Sequence, residues 1–242
     1  MDDNEEEMTK YTSETRAPMN REHHSLPVTS DSRVYEVLDS LSQQLWPLLS
    51  RVLQAREMPL LGSGFMTVGP EADVQYLHKD VHHYDRHGKV EGMPKFASQG
   101  GGARTVSVQM QLTDTARSGQ AENGGGSDDL DGGSEGGSGG SGGSLEVLPG
   151  SHRPDAVNGH PDKIKRGIQD SSGVIPIAVP SGTITIYSSR LWHRGGENGG
   201  DDTRKFCFIT VAEPKSPAPP GLIHTMEMED VGQWTFSEKG LL

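Results

Sequence analysis

The chain has little that would staple it covalently or seat it in a membrane. A single cysteine, Cys207, among 242 residues excludes an intrachain disulfide and a cysteine-rich zinc site. No stretch approaches the roughly 18 consecutive apolar residues of a membrane-spanning helix. Basic residues are in deficit: 22 Lys and Arg stand against 34 Asp and Glu, a formal net charge of −12. That balance argues against a surface that tracks a nucleic-acid backbone, and it offers no attraction to an anionic membrane. Much of the acidic excess sits in stretches such as Asp2-Asp3-Asn4-Glu5-Glu6-Glu7, the pattern of a solvated end. Such an N-terminus is too acidic for a signal or transit peptide, and the final Lys239-Gly240-Leu241-Leu242 is not a Ser-Lys-Leu peroxisomal address. A cytoplasmic protein is expected. Apolar side chains make up only 31% while glycines number 32, so part of the chain is expected to stay unfolded around one ordinary core.

What is present falls into two textures. Residues 1–29 mix acids, Ser, Thr, Pro and His without an apolar period and read as a disordered acidic tail. Residues 30–242 read as one domain. It opens with a helical pattern in which Val34, Val37, Leu38, Leu41 and Leu45 share a face, capped by Asp31 or Ser32. Pro47 is expected to break or kink that helix near Trp46, with a second segment carrying Leu48, Leu49, Val52 and Leu53 to about Arg56. Beyond Gly62 and Gly64 the pattern changes to short strands, at 64–68, 74–77, 105–112, 145–148, 174–179, 182–187 and 205–212. Many short strands between turn signals indicate a sandwich or barrel. In 105–112, Val106, Val108, Met110 and Leu112 alternate with Thr105, Ser107, Gln109 and Gln111. The polar face carries no charge, which suits solvent and a ligand-holding interior equally. Residues 124–144 are a Gly/Ser/Asp run that holds no core and reads as a flexible insertion. The C-terminal segment from Pro214, with Met226, Met228, Trp234 and Phe236, is read as packing on the outside of the barrel rather than as a lid.

The chemistry concentrates at 75–87, where His78, His82, His83 and His87 crowd together with Asp80 and Asp85. Imidazole nitrogen with carboxylate oxygen suits a divalent metal such as iron, zinc or manganese. On an extended backbone side chains alternate, so His78 and Asp80 project to one side and can hold two adjacent corners of a coordination sphere. His-x-Asp is common by chance, so a third ligand decides its meaning. Downstream, His193 lies just beyond a strand, next to glycines, and Arg204 opens the following strand eleven residues later. A guanidinium at that place fits bidentate pairing with a carboxylate. His23 and His24 fall in the polar tail and read as solvated.

The ordered set of motifs resembles the phytanoyl-CoA dioxygenase family of iron(II)/2-oxoglutarate oxygenases. It comprises Gln-Tyr-Leu-His-Lys-Asp at 75–80, the strand at 106–114, Glu-Asn-Gly at 122–124, Ser-Leu-Glu-Val-Leu-Pro-Gly-Ser-His at 144–152, Gly-Thr-Ile-Thr-Ile-Tyr at 182–187, and Trp-His-Arg-Gly-Gly-Glu-Asn at 192–198 followed by Arg204. The resemblance implies a mainly β fold, a double-stranded β-helix (jelly roll) with N-terminal helices packed outside. It implies His78, Asp80 and His193 as catalytic metal ligands for Fe(II), Arg204 on the far carboxylate of the cosubstrate 2-oxoglutarate, and Gln109 facing that cosubstrate. The implied reaction consumes 2-oxoglutarate and O2, yields succinate and CO2, and hydroxylates a small organic substrate. Because Asp80 is retained, hydroxylation is expected rather than the halogenation of relatives that lack the carboxylate.

Three departures accompany the resemblance. The glycine-rich run separates Glu-Asn-Gly from the segment at 144–152; position 195 is Gly where many members carry Ser or Thr beside the arginine; and the N-terminal part looks short. The remaining histidines are expected at the pocket entrance or in solvent, with His152 shaping a turn. Two other readings compete: a non-catalytic barrel of the same fold acting as a binding or regulatory module, and a zinc hydrolase built on the histidine cluster. The intact triad with Arg204 favours the oxygenase. The sequence names neither substrate nor oligomeric state.

Overall fold

Alternation along one strand explains how the largest sheet is used. In the computed structural model, which describes residues 20–25, 28–30, 32–80, 104–115, 143–152, 173–214 and 230–242, Thr105–Gln111 forms β3, the strand next to one edge of a seven-stranded sheet. Val106 and Val108 lie in the main hydrophobic core with Leu38, Leu49, Leu53, Ile209 and Val211. Thr105, Ser107, Gln109 and Gln111 face the other way and are buried too. The uncharged face is therefore an interior, which resolves the two readings the sequence left open.

Around β3, in chain order, the elements are β1 (Arg21–Ser25), α1 (Arg33–Leu53), β2 (Met58–Val68), β4 (Leu145–Val147), β5 (Ile175–Ile177), β6 (Ile184–Ser188), β7 (His193–Gly195), β8 (Arg204–Ala212), β9 (Thr235–Ser237) and β10 (Gly240–Leu241). The large sheet runs β10-β9-β2-β8-β3-β6, with β1 also paired to β2; a smaller sheet runs β5-β4-β7. The segment before residue 80 adds to the small sheet through paired backbone bonds between His78 and His193. The chain is a mainly β double-stranded β-helix, with its helix packed on the outer face of the large sheet.

Four expectations are corrected. First, Pro47 does not break α1, which runs unbroken from Arg33 to Leu53. A proline inside a helix costs about 3 kcal/mol. Leu49 and Leu53, beyond it, are completely buried and offset that at about 1.5–3 kcal/mol each. The cap is Ser32, whose side chain accepts from the Tyr35 N–H at 3.1 Å. Second, Arg21–Ser25, read as tail, forms β1 along residues 64–68 of β2. Its row of backbone bonds fills an exposed sheet edge, and His23 stacks on Phe208 at 5.1 Å. Third, residues 74–77 are not a strand; only Ala72 and His78 make bridges there. Fourth, β2 begins at Met58, earlier than expected, and crosses a bulge between Leu60 and Gly62.

The C-terminal residues pack as expected: β9 pairs with the start of β2, Phe236 is fully buried and Trp234 meets Tyr35 edge to face. Residues 116–142, which hold nearly all of the Gly/Ser run, lie outside the described residues, as do His82, His83, His87, Met226 and Met228. No helix among the described residues is long and apolar enough to cross a membrane.

Candidate metal centre

Two segments bring the candidate ligands together. His78 and Asp80 lie at the end of the segment leading out of the small sheet, and His193 opens β7 opposite His78. The backbones of His78 and His193 exchange hydrogen bonds of 2.8 and 2.9 Å. This fixes both Cα atoms across a narrow pair and sets the rings 4.5 Å apart. One ligand atom from each of His78, Asp80 and His193 falls within 4.8 Å of the others.

Both imidazoles are oriented for ligation. His78 Nδ1 lies 2.9 Å from the Tyr76 carbonyl, and His193 Nδ1 lies 2.9 Å from the Leu191 carbonyl. A carbonyl only accepts, so each Nδ1 carries the proton and donates, and in the neutral ring Nε2 keeps the lone pair that ligates. His193 Nε2 points at Asp80 Oδ1 at 3.4 Å. The other carboxylate oxygen, Oδ2, accepts from Ser107 Oγ at 2.7 Å, and Ser107 in turn meets Ser189 Oγ at 2.8 Å. This is the supporting shell a ligating carboxylate needs. Tyr187 closes the site edge-on against His193, ring centroids 5.1 Å apart.

The electrostatics suit a cation. Burial, with the neighbouring His193, pushes the His78 pKa down to about 4. Burial alone would raise the Asp80 carboxyl, but His193, His78 and the Ser107 hydroxyl outweigh it and hold it at about 2. Burial opposes a charge on His193 as well, yet Asp80 raises its pKa. A carboxylate kept ionised between two imidazoles, one neutral, is a donor set that a divalent metal completes. The residues fit the metal.

Further along the same interior face stands Arg204, the first residue of β8, only 3% exposed. Its guanidinium lies over the Phe206 ring at 4.9 Å. Gly143, with φ of +69°, leaves it room: a Cβ there would come within 2.9 Å of Arg204 Nη1. Nε and Nη1 are buried without a hydrogen-bond partner among the described residues. Burial, then the charge of Arg21, lowers its pKa to about 9. An unsatisfied buried guanidinium is costly unless an anion meets it. Gln109, the remaining predicted residue, is buried on this face two positions from Ser107, and its Nε2 is likewise unpartnered among the described residues.

Several contributors escaped the sequence reading. Ser107 and Ser189 hold the carboxylate; the alternation of β3 signalled the first only as a neutral inward position. Asn198 ties down the turn between β7 and β8 by donating to Val68, Gly69 and Asp202 carbonyls. Ser151 shapes the turn before His152, donating to the Leu148 carbonyl at 2.7 Å and accepting from the Trp192 N–H at 2.9 Å. His152 itself is exposed.

With this geometry in hand, the comparison with known families is direct. Residues 141–206 match the phytanoyl-CoA dioxygenase (PhyH) family model. The matched stretch contains β4 through the start of β8, and with them His193 and Arg204. It agrees with the resemblance carried by the motifs. No curated protein matches the chain. Among solved structures, HygX from Streptomyces hygroscopicus with iron bound is 14% identical, with a TM-score of 0.53 over 87% of this chain and 78% of that one. HygX with nickel and 2-oxoglutarate bound is also 14% identical, with a TM-score of 0.52 over 89% and 80%. AviO1 from Streptomyces viridochromogenes Tue57 is 20% identical over 89% and 83%, at a TM-score of 0.47. At such identities the likeness to HygX shows the fold.

Proposed function

We propose that the protein is an iron(II)/2-oxoglutarate-dependent oxygenase that hydroxylates a small organic substrate. The observation that carries this is the convergence of His78, Asp80 and His193, with both Nδ1 atoms turned to backbone carbonyls and both Nε2 atoms turned to the site. A buried, unsatisfied Arg204 on the same interior face supports it. The match to the phytanoyl-CoA dioxygenase family and the fold shared with the metal- and 2-oxoglutarate-bound HygX point the same way.

In this reading His78, Asp80 and His193 would hold Fe(II) as a two-histidine, one-carboxylate donor set. Bound iron with 2-oxoglutarate and O2 supplies the oxidising chemistry, in which the cosubstrate ends as succinate and CO2. The protein's own part is positional. Ser107 keeps the Asp80 carboxylate from turning away. The Leu191 and Tyr76 carbonyls keep the imidazoles in the tautomer that ligates. Arg204 fixes the far carboxylate of the cosubstrate by paired, charge-assisted hydrogen bonds, and Gln109 lines the face between. The polar interior of β3 thus serves the cosubstrate, while the apolar face of the same strand holds the core. We read residues 30–242, joined by β1 (Arg21–Ser25) on the edge of β2, as the barrel domain, and the location as cytoplasmic, the latter in keeping with the single cysteine.

The test is succinate formation from 2-oxoglutarate by the iron-loaded protein under air, without added substrate. Slow, iron-dependent turnover that disappears in His193→Ala supports the reading. Equal traces in both proteins, each folded, would leave a non-catalytic barrel as the better account.

A further inference from the structure

Arg204 is not the only guanidinium on this face. Arg21 of β1 and Arg204 of β8 pair with the same residue of β2, Val68, from opposite sides. Cross-strand partners point to one face, so both arginines project into the interior. Arg21 is anchored: its Nε and Nη2 donate to the Asp73 carbonyl at 3.2 and 2.7 Å, and Nη2 also donates to the Gly196 carbonyl at 2.6 Å. Its Nη1 is left buried without a partner among the described residues.

That nitrogen lies over Gly195, two residues after His193 on β7. A Cβ at 195 would come within 2.6 Å of Arg21 Nη1 and 2.7 Å of Gln75 Oε1. The Gln75 oxygen is already engaged by the Gly195 N–H at 2.8 Å, so neither neighbour moves freely. Position 195 is glycine because a guanidinium from another strand fills the space a side chain would take. Arg21 is near enough for its charge to help lower the pKa of Arg204 and, to a lesser degree, of His78. Three buried donors on this face have no partner among the described residues: Arg21 Nη1, Arg204 Nε and Arg204 Nη1. Asp73 gives Arg21 one countercharge, and an anion between the two guanidiniums would relieve the repulsion and desolvation cost that remain.

We propose that Arg21 and Arg204 form a two-guanidinium clamp for the far carboxylate of the cosubstrate, with Gly195 as the gap that admits Arg21. The proposal rests on the reading above, that a 2-oxo acid chelates the metal held by the triad. It makes β1, a strand in an otherwise polar N-terminal stretch, part of the binding site. It also makes the site more selective for a diacid than one arginine would.

The test compares two ligands on the full chain loaded with iron(II) without oxygen. One is 2-oxoglutarate; the other is 2-oxopentanoate, with the same length and chelating end but a terminal methyl group. Affinity is read from the visible band of the chelate. Arg21→Gln should weaken 2-oxoglutarate on the order of 10- to 100-fold, the worth of a charged hydrogen bond, and leave 2-oxopentanoate unchanged. Arg21→Lys should recover part of the loss, because it restores the charge. Gly195→Ala, which keeps both arginines, should shift preference the same way by displacing Arg21. Equal losses for both ligands would overturn the clamp and leave Arg21 a support for the fold, as would undiminished 2-oxoglutarate binding in Arg21→Gln. No band with either ligand in the unaltered protein would overturn the chelation reading itself, and the clamp with it.

Discussion

Removing one hydroxyl, in Ser107→Ala, measures how far the metal centre depends on residues that never touch the metal. Ser107 Oγ lies 2.7 Å from Asp80 Oδ2 and 2.8 Å from Ser189 Oγ. Each hydroxyl has one proton. Ser107 must spend its proton on the carboxylate, which only accepts, so Ser189 donates to Ser107 and the two form a relay that polarises toward Asp80. A hydrogen bond to a charged group is worth about 1.5–3 kcal/mol. With the bond gone, the Asp80 pKa rises and the carboxylate is freer to rotate out of the ligating position. Losing such an outer partner typically costs 10- to 100-fold in metal affinity, which is about 1.4–2.7 kcal/mol, the same range reached from the bond itself. Ser189→Ala, one step removed, should cost only about 2- to 5-fold, since it weakens the relay without breaking it. Anaerobic calorimetric titration with iron(II), alongside melting curves of the metal-free proteins, separates ligation from folding. If folded Ser107→Ala binds iron as tightly as the unaltered protein, the reasoning is wrong.

Three further outcomes follow from the same geometry. Asp80 is held at about 2 against an ordinary 3.8, so it contributes stability that is present above its unfolded pKa and lost as pH falls from there toward the folded value. In metal-free protein, the stability advantage over Asp80→Asn by denaturant titration should shrink across that window; a constant advantage would contradict the assignment. His193 has a raised pKa because of Asp80, so protons compete for its Nε2 and iron(II) affinity should fall on acidification; a flat profile through the acid range would argue against His193 as ligand. Phe236→Ala should cost about 3–5 kcal/mol of folding stability, because the ring is wholly buried between α1 and β2; a loss below about 1 kcal/mol in equilibrium unfolding would mean the C-terminal strands are not part of the core.

What the sequence revealed and what it concealed divide along one physical line. Periodicity and local chemistry were legible. The apolar rows of α1 and β3 carried their own signal, and His78-x-Asp80 was visible because its spacing is set by an extended backbone. His193 and Arg204 became legible through their order and separation, which matched a known family. Short strands were missed for want of a period: β7 is three residues long and exists because β4 and the backbone of His78 pair with it. β1 reads Arg-Glu-His-His-Ser, with no apolar alternation; the free edge of β2 makes it a strand. Pro47 misled because local preference is weaker than the burial of Leu49 and Leu53. Ser189 and Arg21 could not be found locally at all, being 82 and 175 residues from the Ser107 and Gly196 groups they bond.

The central claim is that His78, Asp80 and His193 hold iron(II) in a form that 2-oxoglutarate chelates. Anaerobic titration of the metal-free protein with iron(II) and then 2-oxoglutarate tests it most directly, following the weak visible charge-transfer band of a chelated 2-oxo acid. The account predicts a band that saturates at one equivalent of iron and is absent in folded His193→Ala. No band in the folded, unaltered protein, or an equal band in His193→Ala, would contradict it.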